Sequence, residues 1–69
     1  MFDRKKFKAL LVLKGFTVGM VAKELGVNEA TLYRKMNGES DFYRNEIQTI
    51  CDLLEIDNPG DIFFTQKLA

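Results

Sequence analysis

The sequence predicts an all-α protein of five short helices, and three observations lead to that prediction. Apolar residues recur every three or four positions in several separate stretches, which is the spacing of one face of a helix. Glycines and capping residues stand at the ends of those stretches. The composition, 46% apolar and 29% charged over 69 residues, is that of a folded chain. We expect one small domain, residues 1–69, whose core a partner chain can help to complete.

The first helix is expected between Asp3, which can cap it, and Gly15, which can end it. Phe7, Leu10 and Leu11 have the spacing of one buried stripe. Three lysines of this helix are expected to face water: Lys5, Lys6 and Lys8.

The second helix is expected over about Val18–Leu25, after a Thr17 cap. Ala22 leaves room for a neighbouring helix, and Gly26 suits the left-handed backbone of a sharp corner four residues later. Gly19 is unusual, because glycine in a helix interior costs roughly 1 kcal/mol relative to alanine.

The third helix is expected to begin after Asn28, a good N-cap, and to end near Met36. Together with the second helix it forms a bent pair over residues 18–37. Its apolar positions form an inward stripe, and its outer face is largely polar: Asn28, Glu29, Tyr33, Arg34 and Asn37. Such a polar face is suited to reading a nucleic-acid groove.

The fourth helix is expected to follow a loop that begins at Asn37 and Gly38, two residues that tolerate positive φ. Tyr43 stands at the N-cap position with Glu46 at capping-box spacing, but tyrosine cannot cap as threonine or serine does. The core stripe of this helix is expected to be Ile47, Ile50, Cys51 and Leu54.

A short fifth helix is expected to begin at Asn58 as the cap, with Pro59 in the first helical position. Phe63 and Phe64 then point in different directions, so that one fills the core and the other lies at the surface. The alternative is that both rings are buried. An exposed aromatic here is a candidate dimer contact, and the candidates are Ile62, Phe63 and Phe64.

Charge is unevenly distributed along a chain whose formal net charge is zero. Residues 1–38 hold eight Lys or Arg against three acids, and residues 39–69 hold two against seven. We expect a basic side suited to a polyanion and an acidic side facing away from it. The alternative is a solvated mixture of charges without a field.

Catalysis is poorly supported, because the chain has no histidine, one cysteine, no glycine-rich phosphate loop and no cluster of metal ligands. We therefore expect no enzyme activity, no cofactor, no metal and no small-molecule ligand. Cys51 cannot form an intramolecular disulfide and is expected in the core, which fits a reducing cytoplasm. The N-terminal apolar run is too short for a signal peptide, and no stretch approaches membrane-spanning length.

The run LGVNEATLYRKMNG closely resembles the helix-turn-helix of the phage Cro and repressor family, which is also called lambda-repressor-like or XRE-type. In that family the run commonly reads like LGVSxSTLSRxxNG. The resemblance implies a five-helix DNA-binding domain with the helix-turn-helix at helices 2 and 3, whose third helix enters the major groove.

Carried over by position, the resemblance implies base contacts from Glu29, Ala30 and Arg34, and backbone or flanking-base contacts from Asn28, Thr31 and Tyr33. Arg34 can donate two parallel bonds to guanine, Glu29 can accept from cytosine, and Ala30 can touch a thymine methyl. Glu29 departs from the residues common at its position and repels phosphates. The alternative for Arg34 is an exposed arginine bonded to a neighbouring acid.

The other implied contacts are to the DNA backbone and the minor groove. Val18 stands where many relatives have a glutamine that binds phosphate, so Thr17 or the free amides of that helix start would replace it. Relatives bind phosphate through the N–H groups at Asn37-Gly38. Tyr43 can add its hydroxyl, and Arg44 either enters the minor groove or forms a surface ion pair.

The leading hypothesis is therefore a sequence-specific double-stranded DNA-binding transcriptional regulator, a repressor of phage or prophage type, acting as a homodimer on a palindromic operator. One alternative is a protein-interaction module that keeps the helix-turn-helix as a scaffold, such as an antitoxin or a phage accessory factor. Another is the N-terminal domain of a longer regulator.

Overall fold

The computed structural model of the chain describes residues 2–64. Within them the protein has five helices and no strand: α1 (Arg4–Lys14), α2 (Val18–Leu25), α3 (Glu29–Met36), α4 (Arg44–Leu54) and α5 (Gly60–Phe63). Helix α2 packs against α3 and α4, while α1 packs against α4 and α5. The predicted all-α class with five helices is confirmed.

The first three helices are capped at their N-termini by the side chains that the sequence predicts. Each cap accepts a hydrogen bond from the backbone N–H three residues later, and removing such a cap typically costs about 1 kcal/mol. The caps are Asp3 on α1 at 3.0 Å, Thr17 on α2 at 3.2 Å and Asn28 on α3 at 2.7 Å. These bonds fix where α2 and α3 begin.

The core is built from buried side chains of all five helices. Helix α3 contributes Leu32 and Met36, which anchor its inward face and leave the opposite face to solvent. The other core residues are Phe7, Leu11, Val21, Ala22, Ile50, Cys51, Leu54, Ile62 and Phe63.

The segment before α1 contacts both α5 and the loop before α4. The Asp3 N–H donates to the Ile62 carbonyl at 2.6 Å. The Phe2 ring packs against Phe42 and Phe63, with centroid distances of 4.8 and 5.3 Å. The loop that follows α3 therefore packs on the aromatic cluster at this end of the core.

Helix α5 begins one residue later than expected, at Gly60. The side chain of Asn58 accepts from the Gly60 N–H at 3.1 Å, and Pro59 has helical dihedral angles without an N–H to donate. The expected capping residue is in place, but the regular hydrogen bonds start after the proline.

Candidate nucleic-acid interface

The bend between α2 and α3 is made at Gly26, which has φ +73°. Its N–H and that of Val27 donate back to carbonyls of α2, including a 3.0 Å bond from Val27 to Ala22. This backbone conformation is costly for residues with a side chain, whereas glycine adopts it readily. Ala22 in α2 is 2% exposed, as its small side chain predicts.

The outer face of α3 is open to solvent over its first two turns. Glu29, Ala30 and Arg34 are exposed, as is the capping residue Asn28. Thr31 and Tyr33 are half-buried at the edges of this face. Within residues 2–64 Arg34 forms no ion pair, so its guanidinium is free of the neighbouring acid that the alternative reading requires.

Glu29 does not extend straight into solvent. Its carboxylate lies against Gly19 in the first turn of α2, in the space that a β-carbon at residue 19 would fill. The Glu29 carboxylate therefore lies near the N-termini of α2 and α3, which favour negative charge. This contact gives Gly19 a structural role that the sequence did not reveal.

The start of α2 is occupied by its own cap. The Thr17 hydroxyl accepts from the Met20 N–H, and Val18 is half-buried against the core. A phosphate at this position would meet Thr17, the free backbone amides of the first turn and the nearby Glu29 carboxylate.

Helix α1 contributes cations to the same surface. Arg4 Nη1 donates to Asn37 Oδ1 at 2.8 Å, and Lys8 Nζ lies 5.9 Å from the centre of the Tyr33 ring. Both cations are exposed and lie one helical turn apart. The sequence analysis counts both among the cations expected on the basic side, but it does not place either of them next to α3. Their four-residue spacing was the available signal, but nothing local indicated which helix they would face.

The backbone N–H groups at the end of α3 are already used inside the protein. The Asn37 N–H donates to the Tyr33 carbonyl at 2.9 Å, and the Gly38 N–H donates to the Lys35 carbonyl at 3.2 Å. Gly38 has φ +84°, as the loop prediction requires. In the free protein these amides therefore complete the helix end, and their contact with phosphate stays a prediction.

The start of α4 presents two exposed side chains next to that loop. Tyr43 is 66% exposed and its side chain makes no capping bond, in agreement with the sequence analysis. Glu46 accepts from the Tyr43 N–H at 2.8 Å instead. Arg44 is exposed and forms no ion pair with any residue of the described part.

One of the eight lysines and arginines of residues 1–38 is not available to a polyanion. Lys35 is 5% exposed, and its Nζ lies 2.8 Å from Glu46 Oε1. The expectation that the lysines and arginines of residues 1–38 form an exposed basic side is therefore wrong for Lys35. Its position in α3 brings it to the loop and α4 rather than to the outer face.

The candidate dimer contacts fall in two environments. Ile62 and Phe63 are 3% and 5% exposed in the monomer, whereas Phe64 is 61% exposed. One phenylalanine fills the core and the other lies at the surface, and the alternative with both rings buried is wrong. Of the three candidates, only Phe64 offers a substantial surface to a second copy.

Other kinds of site find little support in the part of the chain that the structure describes. No cluster of three acidic or cysteine side chains there is arranged to hold a metal ion. None of the helices formed by residues 2–64 has the length and apolarity needed to cross a bilayer. Burial raises the pKa of the Cys51 thiol, and the neighbouring Asp52 adds to this effect.

A family model described as a Cro/C1-type HTH DNA-binding domain matches residues 6–67. The match includes α2, α3 and the loop to α4, and therefore the whole polar face described above. No curated protein and no solved structure matches the chain.

Proposed function

The chain belongs to the family of Cro/C1-type helix-turn-helix DNA-binding domains, and we propose that it is a sequence-specific transcriptional regulator that inserts α3 into the major groove of double-stranded DNA. Domains of this family are typically not enzymes. The finer proposal is a repressor of phage or prophage type that acts as a homodimer, with residues 1–69 forming one domain.

The observation that carries the proposal is the exposed face of α3, on which Arg34 has no ion-pair partner among residues 2–64, next to Arg4 and Lys8 from α1. Arginine reads guanine through two parallel hydrogen bonds, while surrounding cations attract phosphates without regard to sequence. One surface thus supplies both a base-reading group and the charge that brings the duplex to it.

In the proposed mechanism, Arg34 and Ala30 face base edges, and Asn28, Thr31 and Tyr33 lie toward the DNA backbone or flanking bases. Thr17 and Val18 mark the start of α2 as a phosphate position, and Asn37, Gly38, Tyr43 and Arg44 form the second contact region. Glu29 reads a base only if its carboxylate leaves Gly19.

Two copies would read a palindrome with half-sites about 34 Å apart, one turn of duplex. We propose that they pair at the α5 end through Phe64, because its ring is the exposed one of the candidates there. Repression would then follow from occupancy of an operator that overlaps a promoter.

The test is selection of bound sequences from a random duplex pool, followed by titration of the selected duplex at two salt concentrations. We expect enrichment of a symmetric sequence and affinity that falls steeply with salt, since phosphate binding releases counterions. Selection without any enriched sequence, or salt-independent binding, would refute the proposal.

A protein-interaction module is the second candidate, and one observation favours it. Val12 and Leu13 on α1 are 82% and 78% exposed, an apolar pair that the other residues of the range 2–64 do not cover. A pull-down that captures one stoichiometric partner equally well with the wild type and with Tyr33→Ala/Arg34→Ala would support this candidate. Loss of capture in the double variant would tie the partner to the α3 face instead.

A further inference from the structure

A buried ion pair joins α3 to α4 across the loop between them. Lys35 in the last turn of α3 donates from Nζ to Glu46 Oε1 at 2.8 Å, and the two side chains are 5% and 7% exposed. Buried pairs of this kind often contribute little net stability compared with apolar residues of similar size, because both charges lose their hydration. The effect of this pair on the position of the loop between α3 and α4 is therefore separate from its effect on stability.

The two side chains hold the loop at three further points. Lys35 Nζ also donates to the Asp41 carbonyl at 3.1 Å and lies 4.1 Å from the centre of the Tyr43 ring. Glu46 Oε1 accepts from the Tyr43 N–H at 2.8 Å. We call these four residues, Lys35, Asp41, Tyr43 and Glu46, the latch.

Two residues of the latch are sequence neighbours of the two exposed arginines of the proposed interface. Arg34 precedes Lys35 on α3, and Arg44 follows Tyr43 at the start of α4. Residues 37–43 between the two helices have no regular secondary structure. The core residues of α4 and the packing of Phe42 also position this region, but among residues 2–64 the latch supplies the side-chain bonds that tie the end of α3 to Asp41 and Tyr43.

We propose that Lys35 and Glu46 are positioning residues for duplex recognition: the latch fixes Tyr43 and Arg44 relative to α3, so that both regions meet the DNA in one register. This inference rests on the proposed function. Neither side chain touches DNA in it, because both are buried and Lys35 Nζ and Glu46 Oε1 form their bonds within the latch.

Replacing Glu46 should change DNA affinity in the direction opposite to that expected for most acidic residues. Replacing an acid in a DNA-binding protein normally strengthens binding, because it removes repulsion from phosphates. For Glu46→Gln we expect the opposite on the selected duplex, with affinity at least 10-fold weaker. Binding to a scrambled duplex of the same composition, which depends mainly on charge, should be unchanged or stronger.

Three variants separate positioning from charge and from folding. Glu46→Gln removes the carboxylate, and Glu39→Gln is the matched control, since it makes the same change at an exposed residue of the loop. Lys35→Met/Glu46→Gln removes both charges, leaves the net charge unchanged and avoids an uncompensated buried ammonium. Each variant is checked for helical circular dichroism and thermal unfolding before binding is measured at a temperature where it is folded.

The readout is the ratio of affinities for the selected and the scrambled duplex. We expect this ratio to fall at least 10-fold for Glu46→Gln and for the double variant, and to stay within about twofold for Glu39→Gln. Amide hydrogen exchange of residues 39–43 in the free protein should accelerate in the two latch variants, because the loop loses its bonds to them.

An unchanged ratio in folded latch variants would overturn the inference and leave the proposed function standing. Equal weakening on both duplexes would also overturn it, since that pattern indicates loss of a phosphate contact or of folded protein. If the wild type binds no duplex at all, the proposed function fails and the inference with it, whatever the exchange rates.

Discussion

The Glu29 carboxylate, at the start of α3, lies against Gly19 of α2. It occupies the space that the β-carbon of any other residue at position 19 would fill. The contact joins the two helices of the helix-turn-helix at their N-terminal ends. It also holds a negative charge close to the surface proposed for DNA.

Gly19→Ala tests how firmly that contact is held. Gly19 lies in a regular helix, so alanine fits the backbone and should raise the free energy of unfolding by about 0.5 kcal/mol. The Glu29 carboxylate must move, but it is the end of a flexible side chain. Urea denaturation measures the change. The double variant Gly19→Ala/Glu29→Ala is the control, and a gain that appears only in the double variant would mean that displacing Glu29 is costly.

Gly26→Ala should have the opposite effect. No atom lies within 4 Å of the added carbon, but φ is +73°, and alanine in this conformation costs roughly 1 to 2 kcal/mol. We expect a lower midpoint of urea unfolding with an unchanged slope. Stability equal to that of the wild type would contradict the reading of Gly26 as a strained corner.

Arg34→Ala should weaken binding to the selected duplex by about 10- to 100-fold, because a bidentate arginine–guanine pair discriminates by roughly 1 to 3 kcal/mol. The control is Lys14→Ala, which also removes one positive charge. Lys14 lies at the C-terminal end of α1, away from Arg4, and its Nζ pairs with Glu55 at 3.8 Å. Fluorescence anisotropy compares the two. Equal losses in both variants would show that Arg34 contributes only charge.

Cys51 should react slowly with thiol reagents at neutral pH in the folded protein and fast after denaturation. Burial raises its pKa above the ordinary value of 9.0, and Asp52 adds to the shift, so the folded state favours the neutral thiol. The unfolded state then loses the proton first as pH rises. The contribution of the neutral Cys51 thiol to the free energy of unfolding is therefore complete below about pH 9 and declines above it.

Cys51→Ala should consequently be less sensitive to alkaline pH than the wild type. The measurement is the difference in unfolding free energy between the two proteins at pH 7 and pH 10. A difference that does not change between these pH values would contradict a shifted thiol.

Local chemistry predicted most of the fold. The caps at Asp3, Thr17 and Asn28 and the corner at Gly26 all follow from side-chain or backbone preferences that act within a few residues. The start of α5 was displaced by one residue, because the cap bond of Asn58 reaches past the proline.

Long-range contacts could not be predicted in the same way. A lysine at position 35 has the charge of any other lysine, and only the fold shows that Glu46, eleven positions away, removes it from the surface. Gly19 and Glu29 lie on opposite sides of the turn at Gly26. In the sequence they are a poor helix former and an unusual acid, and their contact is not predictable from local spacing.

The hydrogen bond between Arg4 and Asn37 has a practical consequence for purification. It brings the first turn of α1 alongside the end of α3. A histidine tag or fusion partner attached at the amino-terminal side of this sequence would start only a few residues from Arg4 and would crowd a duplex bound at the proposed interface. Affinity measurements therefore require protein from which any amino-terminal tag has been cleaved.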